Sequence, residues 1–178
     1  MKFFRQVLAT AALVAASFVT AELEDGVKLG PNYGGPHGDK YSDLELVGPG
    51  QTVEAISIRS SDRVDAVLLD VTDASGQKST LEHGGGGGDM ETLTLGDGEY
   101  ITGVQVHWGK YYRKTRVMYI EFTTNKKHHI KGGTPQDNTD KIGKDDAPEG
   151  YQLGGFDGFA GNELDSLAPI WTKIDPST

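Results

Sequence analysis

Cysteine is absent from this 178-residue chain. No disulfide or thiol chemistry is available to it, so its stability must come from a packed core. Positive charge is also scarce, because 17 lysines and arginines stand against 26 aspartates and glutamates, for a formal net charge of −9. A negative protein of this kind disfavours nucleic acid and other polyanions as partners and favours neutral ligands. The chain has no Asn-X-Ser/Thr acceptor either, so N-glycosylation is not expected.

Long hydrophobic runs are missing except at the N-terminus, where the pattern is typical of a secretory signal peptide. Lys2 and Arg5 flank an alanine-rich apolar segment, 7–19, that is too short to span a bilayer stably, and small residues follow up to Ala21. We therefore predict a signal peptide over residues 1–21 and a single mature domain over residues 22–178. The expected product is secreted and extracellular, without membrane insertion.

The remaining chain is rich in alternating patterns that predict an all-β fold. Met118, Ile120 and Phe122 point to one face of a strand while their neighbours point to the other. The same reasoning predicts nine short strands, separated by Gly, Pro and Asp clusters. They cover residues 52–59, 64–70, 78–82, 91–95, 102–108, 117–122, 128–131, 151–156 and 166–174.

Glycine-rich segments recur beside these strands, at 34–35, 84–88, 132–133 and 154–155. Three of them accompany a comparable strand pair, which indicates threefold repetition of a four-strand unit. The segment 134–149 is polar and charged, so we predict a long surface loop there.

The stretch 154–165, just before the last strand, suggests a binding site. It places Asp165 four residues after Gly161, where a glycine lets backbone N–H groups approach a ligand closely. Sugar hydroxyls donate to a carboxylate and accept from N–H groups, so we interpret the pattern as a carbohydrate site on an exposed loop. Taken alone, it fits an aspartate that caps a turn better than a ligand.

Four motifs in order extend this interpretation. They are Gly-Pro-Asn-Tyr-Gly-Gly at 30–35, the segment 95–104, the segment 120–127 and the GxxxD motif at 161–165. Through them the chain resembles the jacalin-related lectins of the mannose-binding type over residues 27–174. The resemblance implies a β-prism I of three four-stranded Greek-key sheets with pseudo-three-fold symmetry. It further implies a lectin that binds glycans without catalysis, metal or cofactor.

The resemblance also implies which residues bind sugar at one end of the prism. Asp165 would accept hydrogen bonds from two hydroxyls, the N–H groups of Asn162 and Glu163 would donate, and Gly38 would complete the pocket beside Gly161. His37 stands where the family usually has glycine. Galactose-binding members depend on a freed N-terminal glycine, whereas this glycine loop is internal, so mannose- or glucose-type glycans are expected.

A possible second carbohydrate site is implied on another sheet. Its residues are Asp62, Arg63, Asp65, Gly87 and Gly88, with Ser61 in place of the leading glycine. The segment 84–88 fits a flexible hairpin as well as a ligand-facing loop. Several weak sites acting together bind with avidity, so formation of a homo-oligomer is an open alternative.

Other functions are less well supported by the residues. Adjacent His128 and His129 point to opposite faces of a strand, so no metal site is predicted. Carboxylates on the one short loop 157–165 do not flank a cleft as a glycosidase requires. The aromatic and basic segment 108–116 fits a solvated hairpin better than a polyanion site. The open alternative is a secreted β-prism that lacks sugar affinity and acts through protein–protein contacts.

Overall fold

The computed structural model of the protein describes residues 23–175. The predicted signal peptide, residues 1–21, lies outside the described residues. Within residues 23–175, no helix has the length and apolar character needed to cross a membrane.

The described part of the chain forms strands and one short 3₁₀ helix. The strands are β1 Val27–Leu29, β2 Tyr33–Gly34, β3 Asp39–Ser42, β4 Thr52–Ser60, β5 Val64–Thr72, β6 Lys78–Gly84, β7 Asp89–Thr94, β8 Ile101–Tyr111, β9 Lys114–Thr124, β10 His129–Gly133, β11 Ile142–Asp146, β12 Tyr151–Ala160 and β13 Leu164–Lys173. The 3₁₀ helix covers Thr139–Lys141.

These strands form three antiparallel sheets that share one plan. The sheets have the orders β6-β5-β4-β7, β10-β9-β8-β11 and β1-β13-β12-β3, and in the last of these β2 also pairs with β13. In each sheet a long central hairpin carries an outer strand on either side, which is the Greek-key order. Strands β1 and β2 pair with opposite ends of β13, so together they act as one interrupted outer strand. The predicted β-prism of three Greek-key sheets is confirmed.

The core lies between the three sheets. Alternate residues of the central hairpins point inward, as the period of two predicts. Ile56 and Leu69 come from one sheet, Phe122 from the second and Phe156 from the third, and each is fully buried. The rings of Phe122 and Phe156 pack with centroids 5.9 Å apart. Strand β13 is buried along nearly its whole length, because it lies between β12 and the strands β1 and β2 and faces the core.

All nine predicted strands are confirmed, but the predicted loop over 134–149 is wrong in its second half. That segment contains the 3₁₀ helix and β11, which pairs with β8. Long-range contacts hold this polar strand, because Tyr33 Oη donates to Lys144 O (2.8 Å) and Trp171 Nε1 donates to Asp145 Oδ2 (2.8 Å).

Strands β1, β2 and β3 were also not predicted. In addition, β12 runs to Ala160, so the glycine-rich stretch 154–165 is mostly strand, and its turn is only residues 161–163.

Candidate functional site

Three glycine loops close against the three central hairpins at one end of the prism. Gly35 N donates to Asp165 O (3.0 Å), Gly85 N to Asp65 O (3.0 Å) and Thr134 N to Met118 O (2.8 Å). The preceding residues, Gly34, Gly84 and Gly133, all have positive φ. The three contacts repeat one local structure, which makes Asp65, Met118 and Asp165 equivalent positions. Two of the three sheets therefore present a carboxylate at this end, and the third presents a thioether.

The side chain of Asp165 is fully buried, with no exposed surface. Its Oδ1 accepts a hydrogen bond from Arg116 Nη1, whereas its Oδ2 is buried without a hydrogen-bond partner among the described residues. The expectation that Asp165 lies exposed on its loop is wrong, because it is the second residue of β13 and Arg116 and Gly38 cover it. One oxygen of the carboxylate is thus engaged and the other remains a free acceptor.

Gly38 lies directly over this free oxygen. A Cβ on Gly38 would fall 2.8 Å from Asp165 Oδ2 and would overlap the backbone oxygen of Ala160. The φ of Gly38 is +70°, a conformation that side chains other than glycine rarely adopt. The loop therefore requires glycine here, both for its backbone conformation and for its close approach to Asp165.

The GxxxD turn carries the other candidate ligands. One backbone hydrogen bond closes the turn, from Gly161 N to Glu163 O (3.0 Å), and Asn162 is exposed at its tip. The Glu163 side chain does not face open solvent, because Arg63 binds both its oxygens, with Nε at 2.9 Å and Nη2 at 2.7 Å. Arg116 Nε lies 3.4 Å from the same carboxylate. The Glu163 carboxylate is therefore engaged, which leaves the backbone of the turn and the exposed Asn162 to serve a ligand near Asp165.

The possible second site has the same construction around Asp65. Its Oδ2 is buried and has no hydrogen-bond partner within residues 23–175, although the residue as a whole is partly exposed. A Cβ on Gly87 would fall 2.5 Å from Asp65 Oδ1, and one on Gly88 would fall 2.7 Å from Oδ2. Gly87, Gly88 and Asp65 are thus brought together as expected. Asp62 is exposed on the adjoining turn, and Arg63 points away to Glu163.

Burial and nearby charges act in opposite directions on these carboxylates. Burial raises the pKa of Asp165, while the neighbouring Arg116 partly offsets this rise. Burial likewise raises the pKa of Asp65, and the negative charge of Glu163 adds to the rise. The hydrogen bond from Arg63 lowers the pKa of Glu163. Glu163 is accordingly the firmly ionised member, and the two aspartates protonate more readily than an exposed aspartate does.

Arg116 is the site residue that the sequence interpretation missed. It was assigned to a solvated hairpin, yet its side chain is only 14% exposed and contacts two candidate site residues. The rest of that hairpin is solvated as expected, since Tyr112 at its tip is 85% exposed. Tyr111 also has a partner, because the guanidinium of Arg63 lies 3.6 Å from its ring centroid.

The opposite end of the prism carries a cleft of about 530 Å³ that includes Glu54, Asp97 and Glu99. Glu99 is nearly buried, and it accepts from Thr124 Oγ1 (2.7 Å) and Gly96 N (3.1 Å) and pairs with His128 (2.6 Å). Both oxygens of Glu99 are therefore engaged, in contrast to Asp165 Oδ2 and Asp65 Oδ2. No group of three or more His, Cys, Asp or Glu side chains within residues 23–175 is arranged to hold a metal ion.

The fold and the repeated glycine loops define a β-prism of the lectin type. The family model described as Jacalin-like lectin domain matches residues 31–169, and the chain belongs to this family. It is 31% identical over 143 residues to Secreted RxLR effector protein 19 of Plasmopara viticola, covering 79% of this chain and 78% of the relative. It is also 33% identical over 110 residues to the jacalin-related lectin Calsepa of Calystegia sepium, covering 57% of this chain and 67% of the relative.

Solved structures share the fold. The structure of Malaysian banana lectin superposes with a TM-score of 0.71 at 23% identity, covering 83% of this chain and 99% of that one. Calystegia sepium agglutinin gives a TM-score of 0.67 at 25% identity, covering 82% and 96%. Together with the family match, these similarities confirm the resemblance to jacalin-related lectins.

Proposed function

We propose that this domain is a secreted carbohydrate-binding protein that recognises mannose- or glucose-type glycans without catalysis. Membership of the Jacalin-like lectin family supports the class of ligand. Calsepa has been solved in complex with a biantennary N-glycan, and the similar pineapple protein is described as a mannose-binding jacalin-related lectin. Secretion is supported by the predicted signal peptide and by the relative named a secreted effector.

One observation carries this proposal. At one end of the prism, two equivalent carboxylates each have a buried oxygen that finds no hydrogen-bond partner among residues 23–175, Asp165 Oδ2 and Asp65 Oδ2. Each lies against a glycine loop that excludes a side chain, at Gly38 and Gly88 respectively. A buried acceptor without a donor is costly, so a ligand hydroxyl that donates to it restores the missing hydrogen bond.

The proposed contacts of the first site are those that the family resemblance implies. A sugar hydroxyl donates to Asp165 Oδ2, and the N–H groups of Asn162 and Glu163, with that of Gly38, donate to sugar oxygens. Arg116 occupies Oδ1, so the carboxylate has room for fewer hydroxyls than a free aspartate. Because Asp165 has no exposed surface, the ligand gains access only when Arg116 or the loop at Gly38 moves.

Weak binding at each site is the expected result. A hydrogen bond to a charged group contributes about 1.5–3 kcal/mol, and ordering of the ligand and loops offsets part of this. A monosaccharide Kd on the order of millimolar follows. The second site, with Asp65, Gly87 and Gly88, then provides avidity within one chain, and a homo-oligomer would multiply it.

Calorimetry with methyl α-mannoside, with methyl α-galactoside as comparator, tests this proposal. We expect millimolar binding of the mannoside and loss of the heat signal in the Asp65→Asn/Asp165→Asn double variant. The control is Asp157→Asn, which carries the same substitution on β12 but alters an ion pair with the exposed Lys40. Mannoside binding that survives the double variant would contradict the assignment of the sites.

A second candidate function is favoured by the burial of Asp165 and by the effector named among the relatives. In this case the domain is a secreted β-prism without sugar affinity that acts through protein–protein contacts. A glycan array without hits, together with a specific protein captured in a pull-down, would support this function over the first. Binding to arrayed mannosides would exclude it as the sole function.

A further inference from the structure

Arg63, Arg116 and Glu163 are equivalent residues of the three repeats. Each lies two positions before one of the equivalent residues Asp65, Met118 and Asp165, with a buried valine or leucine between. Their side chains meet at the end of the prism, where Glu163 contacts Arg63 at 2.7 Å and Arg116 at 3.4 Å. Two cations therefore share one anion at the point where the three sheets converge. We call Arg63, Glu163 and Arg116 the axial triad.

The axial triad joins the two candidate sugar sites. On one side Arg116 binds Asp165, and on the other side Arg63 belongs to the turn that leads into Asp65. A second contact joins the same loops through the backbone, because a Cβ on Gly85 would overlap the carbonyl of Asn162. The turn of the Asp165 site thus touches both the turn and the glycine loop of the Asp65 site.

These ion pairs are protected from solvent. The side chains of Arg63, Glu163 and Arg116 are 19%, 18% and 14% exposed. Exposed ion pairs are screened and contribute little, whereas a shielded bidentate pair such as Arg63–Glu163 holds a fixed geometry. A change in the position of one side chain of the axial triad therefore displaces the other two.

We propose that Glu163 is a positioning residue that couples the two candidate sites, so that a sugar bound at one raises the affinity of the other. This inference rests on the proposed function. A ligand that displaces Arg116 from Asp165 also alters the contact of Arg116 with Glu163, and Glu163 then pairs with Arg63 alone and holds the turn 61–63. The second ligand meets a turn whose position is already fixed, which is positive cooperativity between the sites. By linkage the effect is reciprocal.

The experiment is an NMR titration of the full chain with methyl α-mannoside, followed at the backbone amides of Gly38 and Gly88. In the unmodified protein both amides should respond with a Hill coefficient above 1. Asp65→Asn should weaken binding at Gly38 by at least about twofold, because a fivefold coupling, the lower end of the typical range, shifts the midpoint of two equivalent sites by its square root. In Glu163→Gln both amides should titrate with a Hill coefficient of 1, and adding Asp65→Asn should then leave binding at Gly38 unchanged.

Two further variants separate coupling from a general structural effect. Arg63→Met breaks the same contact from the other side and should also remove the cooperativity. Glu54→Gln on β4 removes an ion pair with Lys78 of β6, away from the triad, and should retain the cooperativity. The coupling would be overturned if the two sites of the unmodified protein titrate with a Hill coefficient of 1 and their midpoints are the same in Glu163→Gln. The proposed function would remain intact. Absence of any shift with saccharide would overturn both.

Discussion

The substitution Asp165→Asn tests the sugar site and the structure around it in one variant. Asp165 is fully buried and its Oδ1 accepts from Arg116, so the substitution replaces a charged acceptor with a neutral one in a place that water does not reach. Arg116 keeps its contact with Glu163 at 3.4 Å, and the amide oxygen still accepts a hydrogen bond. The loss is therefore that of one charge-assisted hydrogen bond, about 1.5–3 kcal/mol, rather than that of a whole buried ion pair.

This loss should be visible in thermal unfolding. A change of 1 kcal/mol shifts the melting temperature of a domain this size by about 2–4 °C, so Asp165→Asn should lower it by about 3–12 °C. The matched control Asp157→Asn disturbs a pair whose lysine is 51% exposed and should cost less than about 1 kcal/mol. Calorimetry should show lost mannoside binding at this site. An unchanged melting temperature would refute the role of the Arg116 pair, and full affinity would refute the site.

Three other outcomes follow from single features. Burial raises the pKa of Asp65 and Asp165 above the ordinary value of 3.8. Only the ionised carboxylate accepts freely from hydroxyls, so the mannoside affinity should fall on acidification with a midpoint above pH 3.8. A midpoint below pH 3.8 would contradict this. Hydrogen bonds from Thr124 and Gly96 lower the pKa of Glu99 in the folded protein to about 2, below the ordinary value of 4.5. The ionised Glu99 therefore stabilises the fold above pH 4.5, and this contribution is lost as the pH falls towards 2. In Glu99→Gln the melting temperature should fall less steeply between pH 4.5 and 2 than in the unmodified protein. The same dependence of melting temperature on pH in both proteins would contradict this role of Glu99. Gly38→Ala should lower the melting temperature more than Gly76→Ala. Both glycines have positive φ, but only a Cβ at position 38 would contact other atoms. Equal losses of melting temperature would show that the Gly38 loop tolerates a side chain.

Much of the fold could be predicted from sequence because the central hairpins carry their own signal. Alternation along 117–122 reflects burial towards the core, and the structure buries Ile120 and Phe122 as predicted, whereas Val117 and Tyr119 are buried in place of Met118. Strand β11 could not be predicted in this way, since it is polar and buries only Gly143. Its position depends on Tyr33 and Trp171, which lie far from it in sequence.

The candidate site was predictable only in part, for a related reason. The turn 161–163 and Asp165 follow one another in the chain, so a local motif reveals them. Arg116 reaches Asp165 only because three separate hairpins converge at one end of the prism. The signal that would have revealed it is the equivalence of Arg63, Arg116 and Glu163, each two residues before Asp65, Met118 and Asp165. No local pattern predicts that these equivalent residues contact one another.

The most direct measurement of the central claim is a crystal structure of the protein with mannose bound. The account predicts saccharide density at the glycine-loop end of the prism, with a hydroxyl within hydrogen-bond distance of Asp165 Oδ2 beside Gly38, and a second molecule at Asp65 beside Gly88. Density confined to the cleft near Glu99, or to any surface away from these two carboxylates, would contradict it.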